Sequence, residues 1–528
     1  MKKITIVTVL KGSAIDKLAG MIKDYNPHLD INIFPFHGKR FNNKDIQDLQ
    51  EAIKGSDLID FEYWKSFEVI WNMVPHVISK FKKIITHHNP YDLDKIPPAL
   101  VDAMVVKNFT QVEKLPTARL IPHAVDFNAM TFNEDYNIDG NVVGMVAFRI
   151  ESSKGILEVA QVCKKLGYTF LLVGHISDPL YYQSIVETGV NIDVRLDISE
   201  GQLRQAYAQM SMLVCNSKDG FESGPMPILE AMAVGVPVLT RRVGIVPDIY
   251  KEENMVVRGG ERSDVDDLEK EMKSLMENPE RRIKIIKAGF DVVKTYSAER
   301  MANMYARLYN EVMFPGQPLV SVITPVRNRK DKIAEIMAAL HFQEYKNIEF
   351  VCCDDGSDDG LEEKVKEWVQ TAWYPVKYVN TKMTDGYNIA RARNLGVIAS
   401  DGKYLMFLDS RFAPEKDTIR LFVEEAQKVK VPYDKLWWFG NKGANKKSFV
   451  ENFSFISRQN LIKAGMFNER IDKYGGQSQE LRERFDAQGF EMVFLPNVMC
   501  KEIMTAHKWQ KRTKDIIKMK DLIYRLNI

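Results

Sequence analysis

Residues 219–239 read DGFESGPMPILEAMAVGVPVL and contain two glutamates, Glu222 and Glu230, eight positions apart. Proline is favoured in the first turn of a helix, and Gly235 followed by Pro237 is typical of a helix end. The stretch therefore predicts a loop that carries Glu222, a helix that carries Glu230, and then a strand. Such an order can hold a sugar hydroxyl, but it also occurs at an ordinary helix–strand junction with a capping acid. The stretch alone leaves both interpretations open.

The composition is that of an ordinary globular protein: 528 residues, 45% hydrophobic and 27% charged, with a formal net charge of +2. No global field therefore draws the chain to nucleic acid. The five cysteines show no CxxC spacing, which indicates reduced thiols, a cytoplasmic protein and no zinc cluster. No apolar stretch has the length of a membrane span, so any membrane contact is expected to be peripheral, on the inner face.

Strand-like apolar runs alternate with helical patterns in three successive units. Residues 2–10 predict a strand, followed by a glycine turn and a helix, which is the opening of a doubly wound α/β unit. A polar linker at 128–140 precedes a second such unit, and FPGQP at 314–318 precedes a third of different design. We therefore predict domains at 1–130, 131–313 and 318–528, the last with a basic amphipathic tail.

The second unit carries the clearest signals. Arg149 and Lys154 follow its first strand, at the sheet edge where ligands of such folds bind. Two cations there suit a diphosphate, although most such cations are solvated surface residues. Together with two later segments they resemble the family-4 retaining glycosyltransferases, which have the GT-B fold of two facing Rossmann-like domains. The resemblance covers roughly residues 1–313, and its segments are RIESSKG at 149–155, ESGPMPILEAMAVGVPV at 222–238 and VGIVPD at 243–248.

This resemblance assigns roles in a donor site. Arg149 and Lys154 would hold the donor diphosphate, whose charge must be neutralised as it leaves. Glu230 would accept hydrogen bonds from the nucleotide ribose, and Glu222 would lie beside the donor sugar. Retaining transfer of this kind is usually drawn as front-face attack in which the leaving phosphate takes the acceptor proton. No cofactor and no dedicated protein base are therefore expected in this part of the chain.

The first unit contributes two further candidates. His88, in THHN at 86–89, matches the histidine that the family turns toward the cleft, with His87 as the near alternative and a structural role as the other. Gly12 lies in the first turn, where a backbone without a side chain could approach the diphosphate or the acceptor. IPHAVD at 121–126 is similar to the family's IPNGVD segment before the second domain.

The third unit resembles the family-2 glycosyltransferases, which have the GT-A fold and are mostly inverting. The resemblance covers residues 318 to about 510 and rests on VSVITPVRN at 320–328, DDGSDD at 354–359 and ARNLG at 392–396. It implies a donor site, with a UDP-sugar as the favoured donor, formed by Pro325, Asp354, Asp355 and Arg393. Carboxylates at strand ends such as Asp354 and Asp355 can bind a uracil edge and a ribose, whereas DDG alone is often a solvated turn.

Two departures from that family bear on catalysis. Where the family has Asp-x-Asp, this chain has Asp409-Ser410-Arg411, so one carboxylate remains for a cation that prefers several oxygen ligands. Either a divalent cation (Mn²⁺ or Mg²⁺) is held by Asp409, the donor phosphates and His507, or Arg411 itself neutralises the diphosphate. A cation is an expectation for this unit only.

The second departure removes the expected general base. The family has Glu-Asp where Gln477 and Ser478 stand, and its aspartate deprotonates the acceptor hydroxyl. Neither replacement can do this unaided. Glu480 lies two residues further on and could serve if the loop shifts, but an ordinary acid at a helix start is the favoured interpretation.

We therefore predict a tandem bifunctional glycosyltransferase that adds two sugars in sequence to a surface glycan, with a saccharide or lipid-linked acceptor. The tail at 507–528 is either a contact with an anionic membrane or a closing helix. One alternative is transfer to modified DNA bases, which predicts salt-sensitive duplex binding. Another is a third unit that only binds, leaving one active module.

Overall fold

We describe the chain from a computed structural model. The described residues are 2–9, 11–36, 43–89, 92–218, 222–259, 264–369, 371–384, 386, 388–429, 435–442, 449–471 and 476–504. The chain divides into two compact units. Residues 2–26 and 30–312 form the first, called here the N-terminal unit, and residues 313–528 form the bulk of the second, the C-terminal unit.

The N-terminal unit begins with a parallel sheet in the order β2-β1-β3-β4-β5-β6. Its strands are β1 (Lys3–Thr8), β2 (Asp30–Pro35), β3 (Leu58–Phe61), β4 (Lys82–His87), β5 (Ala103–Val106) and β6 (Arg119–Leu120). The helices between them are α1 (Ala14–Asp24), α2 (Asn43–Ile53), α3 (Trp64–Met73), α4 (Pro75–Ile78) and α5 (Phe109–Lys114). Strands buried on both faces explain the apolar runs of this region, because helices cover a parallel sheet on two sides.

A second parallel sheet completes this unit in the order β12-β11-β10-β7-β8-β9. Its strands are β7 (Val142–Ile150), β8 (Thr169–Ile176), β9 (Ile192–Leu196), β10 (Met212–Cys215), β11 (Val238–Thr240) and β12 (Val256–Val257). Its helices are α6 (Ile156–Leu166), α7 (Pro179–Glu187), α8 (Glu200–Gln209), α9 (Met226–Val234), α10 (Val246–Ile249), α11 (Val265–Met276), α12 (Pro279–Val293) and α13 (Ala298–Met313). The pair of Rossmann-like sheets confirms the predicted fold.

Helix α9 is the helix predicted from the 219–239 stretch, and eight of its nine residues are buried. Gly235 follows it with φ of +95°, a conformation that glycine adopts without strain, so the helix ends there. Glu230 lies in the second turn of α9, because the helix starts at Met226. Its carboxylate is therefore placed by side-chain contacts and not by the helix N-terminus.

The C-terminal unit has one mixed sheet in the order β15-β14-β13-β16-β19-β18-β20-β17. Its strands are β13 (Val320–Val326), β14 (Ile348–Asp354), β15 (Val376–Asn380), β16 (Tyr404–Leu408), β17 (Phe412–Pro414), β18 (Leu436–Asn441), β19 (Phe453–Ser457) and β20 (Glu491–Glu502). Its helices are α14 (Lys330–His341), α15 (Leu361–Val369), α16 (Ile389–Ala399), α17 (Thr418–Lys428), α18 (Arg458–Lys463) and α19 (Gln477–Ala487). β13 to β16 are parallel, whereas β19 runs antiparallel to β16.

No helix within the described ranges combines the length and the apolar character that a membrane span requires.

Candidate active sites

The first candidate site lies where β7, β10 and β11 end. These strands are parallel neighbours, so the segments that follow them meet at one edge of the sheet. Lys154 follows β7 in a short 3₁₀ turn that ends at Gly155, whose φ of +65° lets the chain turn sharply into α6. The Asn216 side chain, after β10, donates to the Gly155 carbonyl at 3.0 Å and fixes this turn.

Glu222 is held at this edge by two donors. Lys154 Nζ lies 2.5 Å from Glu222 Oε1, and Ser217 Oγ donates to the same oxygen at 2.8 Å. The side chains of Lys154 and Glu222 are 21% and 17% exposed, so the pair is largely shielded from bulk solvent yet still reachable at this edge of the sheet. The tight turn at Gly244, with φ of +56°, packs against this loop, since a Cβ there would lie 3.0 Å from the Glu222 carbonyl oxygen.

Glu230 is buried, and the Tyr207 hydroxyl donates to its Oε2 at 2.7 Å. Burial raises the pKa of Glu230, and the Tyr207 hydrogen bond and the Lys17 charge oppose that rise. Its second oxygen, Oε1, is the atom that could accept from a ligand. The structure thus brings Glu222 and Glu230 to the same loop-helix element but gives them different surroundings, one cationic and one phenolic.

Arg149 and Gly12 are more exposed to solvent than the two glutamates. Arg149 lies in a bulge of β7 beside Phe148, an apolar residue that is itself 54% exposed. Burial raises the pKa of Tyr63 and the Arg149 charge opposes that rise, which places these two side chains within electrostatic range. Gly12 has φ of +79°, its N–H donates to Asp16 Oδ2 at 2.8 Å, and a Cβ there would meet nothing within 4 Å.

His88 lies at the end of β4 in a chain of hydrogen bonds. Its Nε2 is 2.9 Å from Glu62 Oε2, its Nδ1 is 3.1 Å from His123 Nε2, and His123 Nδ1 is 2.5 Å from the Gly224 carbonyl. Because that carbonyl can only accept, His123 Nδ1 donates to it. The chain of contacts thus connects Glu62, through His88 and His123, to the loop after Glu222. Burial lowers the pKa of His88, and the Glu62 hydrogen bond opposes this shift.

His87, the neighbouring alternative, is different. It is buried within β4, and neither ring nitrogen has a hydrogen-bond partner of good geometry among the described residues. Burial lowers the pKa of His87 to about 4, so its ring is neutral at physiological pH. The ring of His88, unlike that of His87, joins a polar network that reaches Gly224 in the loop after Glu222.

A buried charge cluster lies beneath His88 and was not predicted. Asp60, Glu62 and Lys107 are fully buried, Tyr309 donates to Asp60 Oδ2 at 2.6 Å, and Lys107 Nζ donates to the Tyr305 hydroxyl at 2.9 Å. Burial and then the Glu62 charge raise the pKa of Asp60 well above its usual value. Burial also raises the pKa of Glu62, but the Lys107 charge and the His88 hydrogen bond outweigh it and lower that pKa.

The second candidate site lies at the ends of β13, β14 and β16 in the C-terminal unit. Asp354 and Asp355 are 1% and 2% exposed, so they are not solvated turn residues. Asp354 accepts from Ser357, Tyr378 and Asn380, and a ligand could reach its oxygens only by exchange with these donors.

Asp355 and Pro325 frame this site through the backbone. Asp355 Oδ2 accepts from the Asn388 N–H at 2.7 Å and so ties the start of α16 to the end of β14. Pro325 is buried in β13 opposite Cys353 and carries no donor of its own.

Arg393, on α16, is almost fully buried. Its NH1 donates to Glu451 Oε1 at 2.7 Å and to Gln477 Oε1 at 3.4 Å, and its guanidinium lies 5.2 Å from the Phe467 ring centre. The arginine therefore connects α16 to the position where the resemblance places the missing acid. Glu480, the other candidate there, forms an ion pair with Arg484 at 2.8 Å within α19.

The remaining acid of the Asp-x-Asp position is already engaged. Arg411 donates to Asp409 Oδ1 through its backbone N–H at 3.1 Å and through Nε at 3.2 Å, and its NH2 lies 3.4 Å from Oδ2. Arg329 NH1 donates to Ser410 Oγ at 3.1 Å. Among the described residues there is no group of three or more histidine, cysteine, aspartate or glutamate side chains that could hold a metal ion.

The donors that the described residues supply do not fit a divalent cation, because one carboxylate whose two oxygens face a guanidinium offers too few ligands. His507, the other predicted ligand, lies outside the described residues. The same is true of the tail at 507–528, so neither its membrane nor its closing-helix interpretation is tested.

Two polar groups were missed in the sequence: the cluster around Glu62 and the glutamate at Glu451. FEYW at 61–64 and VENF at 450–453 contain no motif, and each acid lies at the border of an apolar run. In both cases the sequence shows a charged residue at the boundary of an apolar strand pattern. This signal for a buried acid is weak, because most such residues are solvated.

Both sites have the architecture of enzymes that bind a nucleotide-linked substrate at the carboxyl edge of a parallel sheet. Two family models match: Glycosyl transferases group 1 over residues 130–292 and Glycosyl transferase family 2 over residues 321–482. The chain thus carries in tandem two segments that each match a glycosyltransferase family.

Curated relatives are similar over short segments. An uncharacterized glycosyltransferase of Rickettsia conorii is 37% identical over 109 residues, which is 20% of this chain and 17% of that protein. The amylovoran biosynthesis glycosyltransferase AmsB of Erwinia amylovora is 32% identical over 148 residues, 28% of this chain and 43% of that protein. The chondroitin synthase of Escherichia coli is 29% identical over 154 residues, 28% of this chain and 21% of that protein. The chain spans less than half the length of each of these relatives.

Among solved structures, sucrose-phosphate synthase from Thermosynechococcus elongatus is similar with a TM-score of 0.49 and 17% identity, over 59% of this chain and 99% of that one. Anabaena HepE in complex with UDP-glucose has a TM-score of 0.49 and 14% identity, over 59% of this chain and all of that one.

Proposed function

We propose that the chain transfers two sugars from nucleotide-sugar donors to a growing surface polysaccharide or glycolipid, one at each candidate site. The observation that carries this proposal is the tandem match to two glycosyltransferase families, with a cationic strand-end site in each unit. The relatives named for amylovoran biosynthesis and, in Bacillus subtilis, putatively for teichuronic acid biosynthesis support a polysaccharide acceptor.

In the N-terminal unit, Lys154 and Arg149 take the donor diphosphate. As the bond between the anomeric carbon and the diphosphate breaks, negative charge grows on the phosphate oxygen, and the Lys154 ammonium stabilises it. Glu222 holds that ammonium in place through its 2.5 Å contact and faces the sugar. Glu230 Oε1 accepts from a ribose hydroxyl, and the leaving phosphate takes the acceptor proton.

In the C-terminal unit, Arg411 and Arg329 neutralise the diphosphate in place of a metal ion. Guanidinium groups bind phosphate oxygens with two parallel hydrogen bonds, which a point charge cannot do. Asp409 orients Arg411 through its contact at 3.2 Å. Lys442 adds a third cation. Burial lowers the pKa of its ammonium, whereas the charges of Glu451 and Asp409 partly offset this shift.

A chelation experiment tests this replacement. In a Glu222→Ala background, we expect sugar transfer by the C-terminal unit to persist in EDTA, whereas Arg411→Ala should lower its turnover by about 10²-fold. Arg420→Ala is the matched control, because Arg420 is an ion-paired arginine on the exposed face of α17. Activity that disappears in EDTA and returns with Mn²⁺ would show instead that a cation occupies this site.

The proposed function itself is tested by a donor screen on the full chain. Release of nucleoside diphosphate is followed with UDP-, GDP- and ADP-sugars, and the anomeric configuration of the products is read by NMR. We expect turnover with at least one UDP-sugar. We also expect two products, one with retained and one with inverted anomeric configuration. Products of a single configuration would support the alternative in which one unit only binds.

A further inference from the structure

A carboxylate stands beside the position where the C-terminal unit lacks its expected base. Ser478 occupies that position at the start of α19. Glu451, which comes from a different element just before β19, has Ser478 as a hydrogen-bonding neighbour. A residue far away in the sequence thus supplies the charge that α19 has lost.

Sheet register brings Glu451 to the catalytic edge. β19 runs antiparallel to β16, with Phe453 opposite Leu408. One step further, the Asp409 N–H donates to the Asn452 carbonyl at 2.8 Å. Glu451 therefore precedes the direct partner of Asp409, at the end of β16 where the donor diphosphate is proposed to bind.

The two oxygens of Glu451 differ in their contacts. Its Oε1 accepts from Arg393 at 2.7 Å, whereas its Oε2 is buried and accepts no hydrogen bond from the part of the chain that the structure describes. The residue is 4% exposed, so it lies at the bottom of the site. Burial raises the pKa of Glu451, but the Arg393 charge and Ser478 outweigh burial and lower it, which keeps the carboxylate ionised at neutral pH.

We propose that Glu451 is the general base of the C-terminal unit. This inference rests on the proposed transfer activity of that unit. The acceptor O–H bond breaks and its proton passes to Glu451 Oε2. The oxygen's electron pair forms the bond to the anomeric carbon, and the bond from that carbon to the diphosphate breaks, leaving its electron pair on the phosphate beside Arg411. The anomeric configuration inverts, and no further reactant is needed.

Glu451 also holds Arg393, so loss of activity alone does not separate a base from a positioning residue. The test therefore uses the full chain with Glu222→Ala as the parent, and measures UDP release from UDP-sugars, UDP affinity by calorimetry and melting temperature. Glu451→Gln should lower kcat by about 10²- to 10⁴-fold while UDP affinity stays unchanged. Glu469→Gln is the matched control, because the Glu469 carboxylate holds Asn394, the neighbour of Arg393 on α16, at 2.8 Å.

Two further variants decide the assignment. Adding Ser478→Asp to Glu451→Gln returns a carboxylate to the site. This double variant should have a kcat about tenfold or more above that of Glu451→Gln alone. Glu451→Asp keeps the charge next to Arg393 but moves the acid by about 1 Å, and should lower kcat by up to about 10²-fold with UDP affinity retained. This second variant keeps the test decisive if Glu451→Gln does not fold.

The outcomes separate the two levels of the proposal. A parent chain without Asp409-dependent turnover overturns the proposed second transfer and the base with it. Asp409-dependent turnover that Glu451→Gln leaves unchanged overturns the base alone. Parallel loss of UDP affinity and kcat, without recovery by Ser478→Asp, assigns Glu451 to holding Arg393 and also overturns its role as base.

Discussion

Replacing Lys154 by methionine is expected to lower kcat of the N-terminal unit by about 10²- to 10³-fold, with a smaller change in donor KM. The ammonium is proposed to stabilise charge that develops only as the diphosphate leaves, so its loss raises the transition state more than the bound donor. The measurement is nucleoside diphosphate release by the full chain with Asp409→Ala, which silences the other unit.

Lys165→Met provides the matched control for Lys154→Met. It removes the same charge from α6 and breaks the ion pair of Lys165 with Glu269, at 2.5 Å, on an exposed surface. An exposed ion pair is screened by solvent and lies outside the proposed donor site, so kcat should not change. Equal losses in both variants, or a Lys154→Met loss confined to KM, would contradict the proposed role in leaving-group stabilisation.

The second large effect concerns stability. Glu62→Gln is expected to lower the free energy of unfolding by about 3–5 kcal/mol, because it leaves the buried Lys107 ammonium without its charged partner. Asp60→Asn makes the same chemical change two residues earlier in the chain, yet should cost no more than about 1 kcal/mol, because burial already favours the neutral acid at Asp60. Denaturant titration at neutral pH measures both.

The two carboxyls also predict opposite pH dependences. The folded-state pKa of Asp60 is raised, so its contribution to stability is full at low pH and is lost as pH rises through that value. The pKa of Glu62 is lowered, so its contribution is present at neutral pH and is lost as pH falls. Asp60→Asn should therefore flatten the decline of stability toward high pH. An Asp60→Asn penalty as large as that of Glu62→Gln would mean that Asp60 is ionised.

Local sequence patterns predicted most of the strands and helices, because each of these elements is formed by residues that are close together in the chain. β15 and β16 match their predicted bounds, and α9 lies between its expected loop and strand, because alternating apolar and helical patterns depend on near neighbours in the chain. The pairing of Lys154 with Glu222 also follows from strand order, since parallel strands bring their ends together.

Contacts between distant residues could not be predicted in the same way. Asp60 meets Tyr309 across 249 positions, and Arg393 meets Glu451 across 58. No local pattern encodes a partner at such a separation, and a lone acid beside an apolar run is more often solvated than buried. The contact between His88 and Glu62 was hidden for the same reason.

The most direct test of two transfer sites on one chain is product analysis with a UDP-sugar panel for the wild type, Glu222→Ala, Asp409→Ala and the double variant. The account predicts that Glu222→Ala leaves only the inverted product, that Asp409→Ala leaves only the retained product, and that the double variant leaves neither. An Asp409→Ala chain that still forms every wild-type product at an unchanged rate would contradict it.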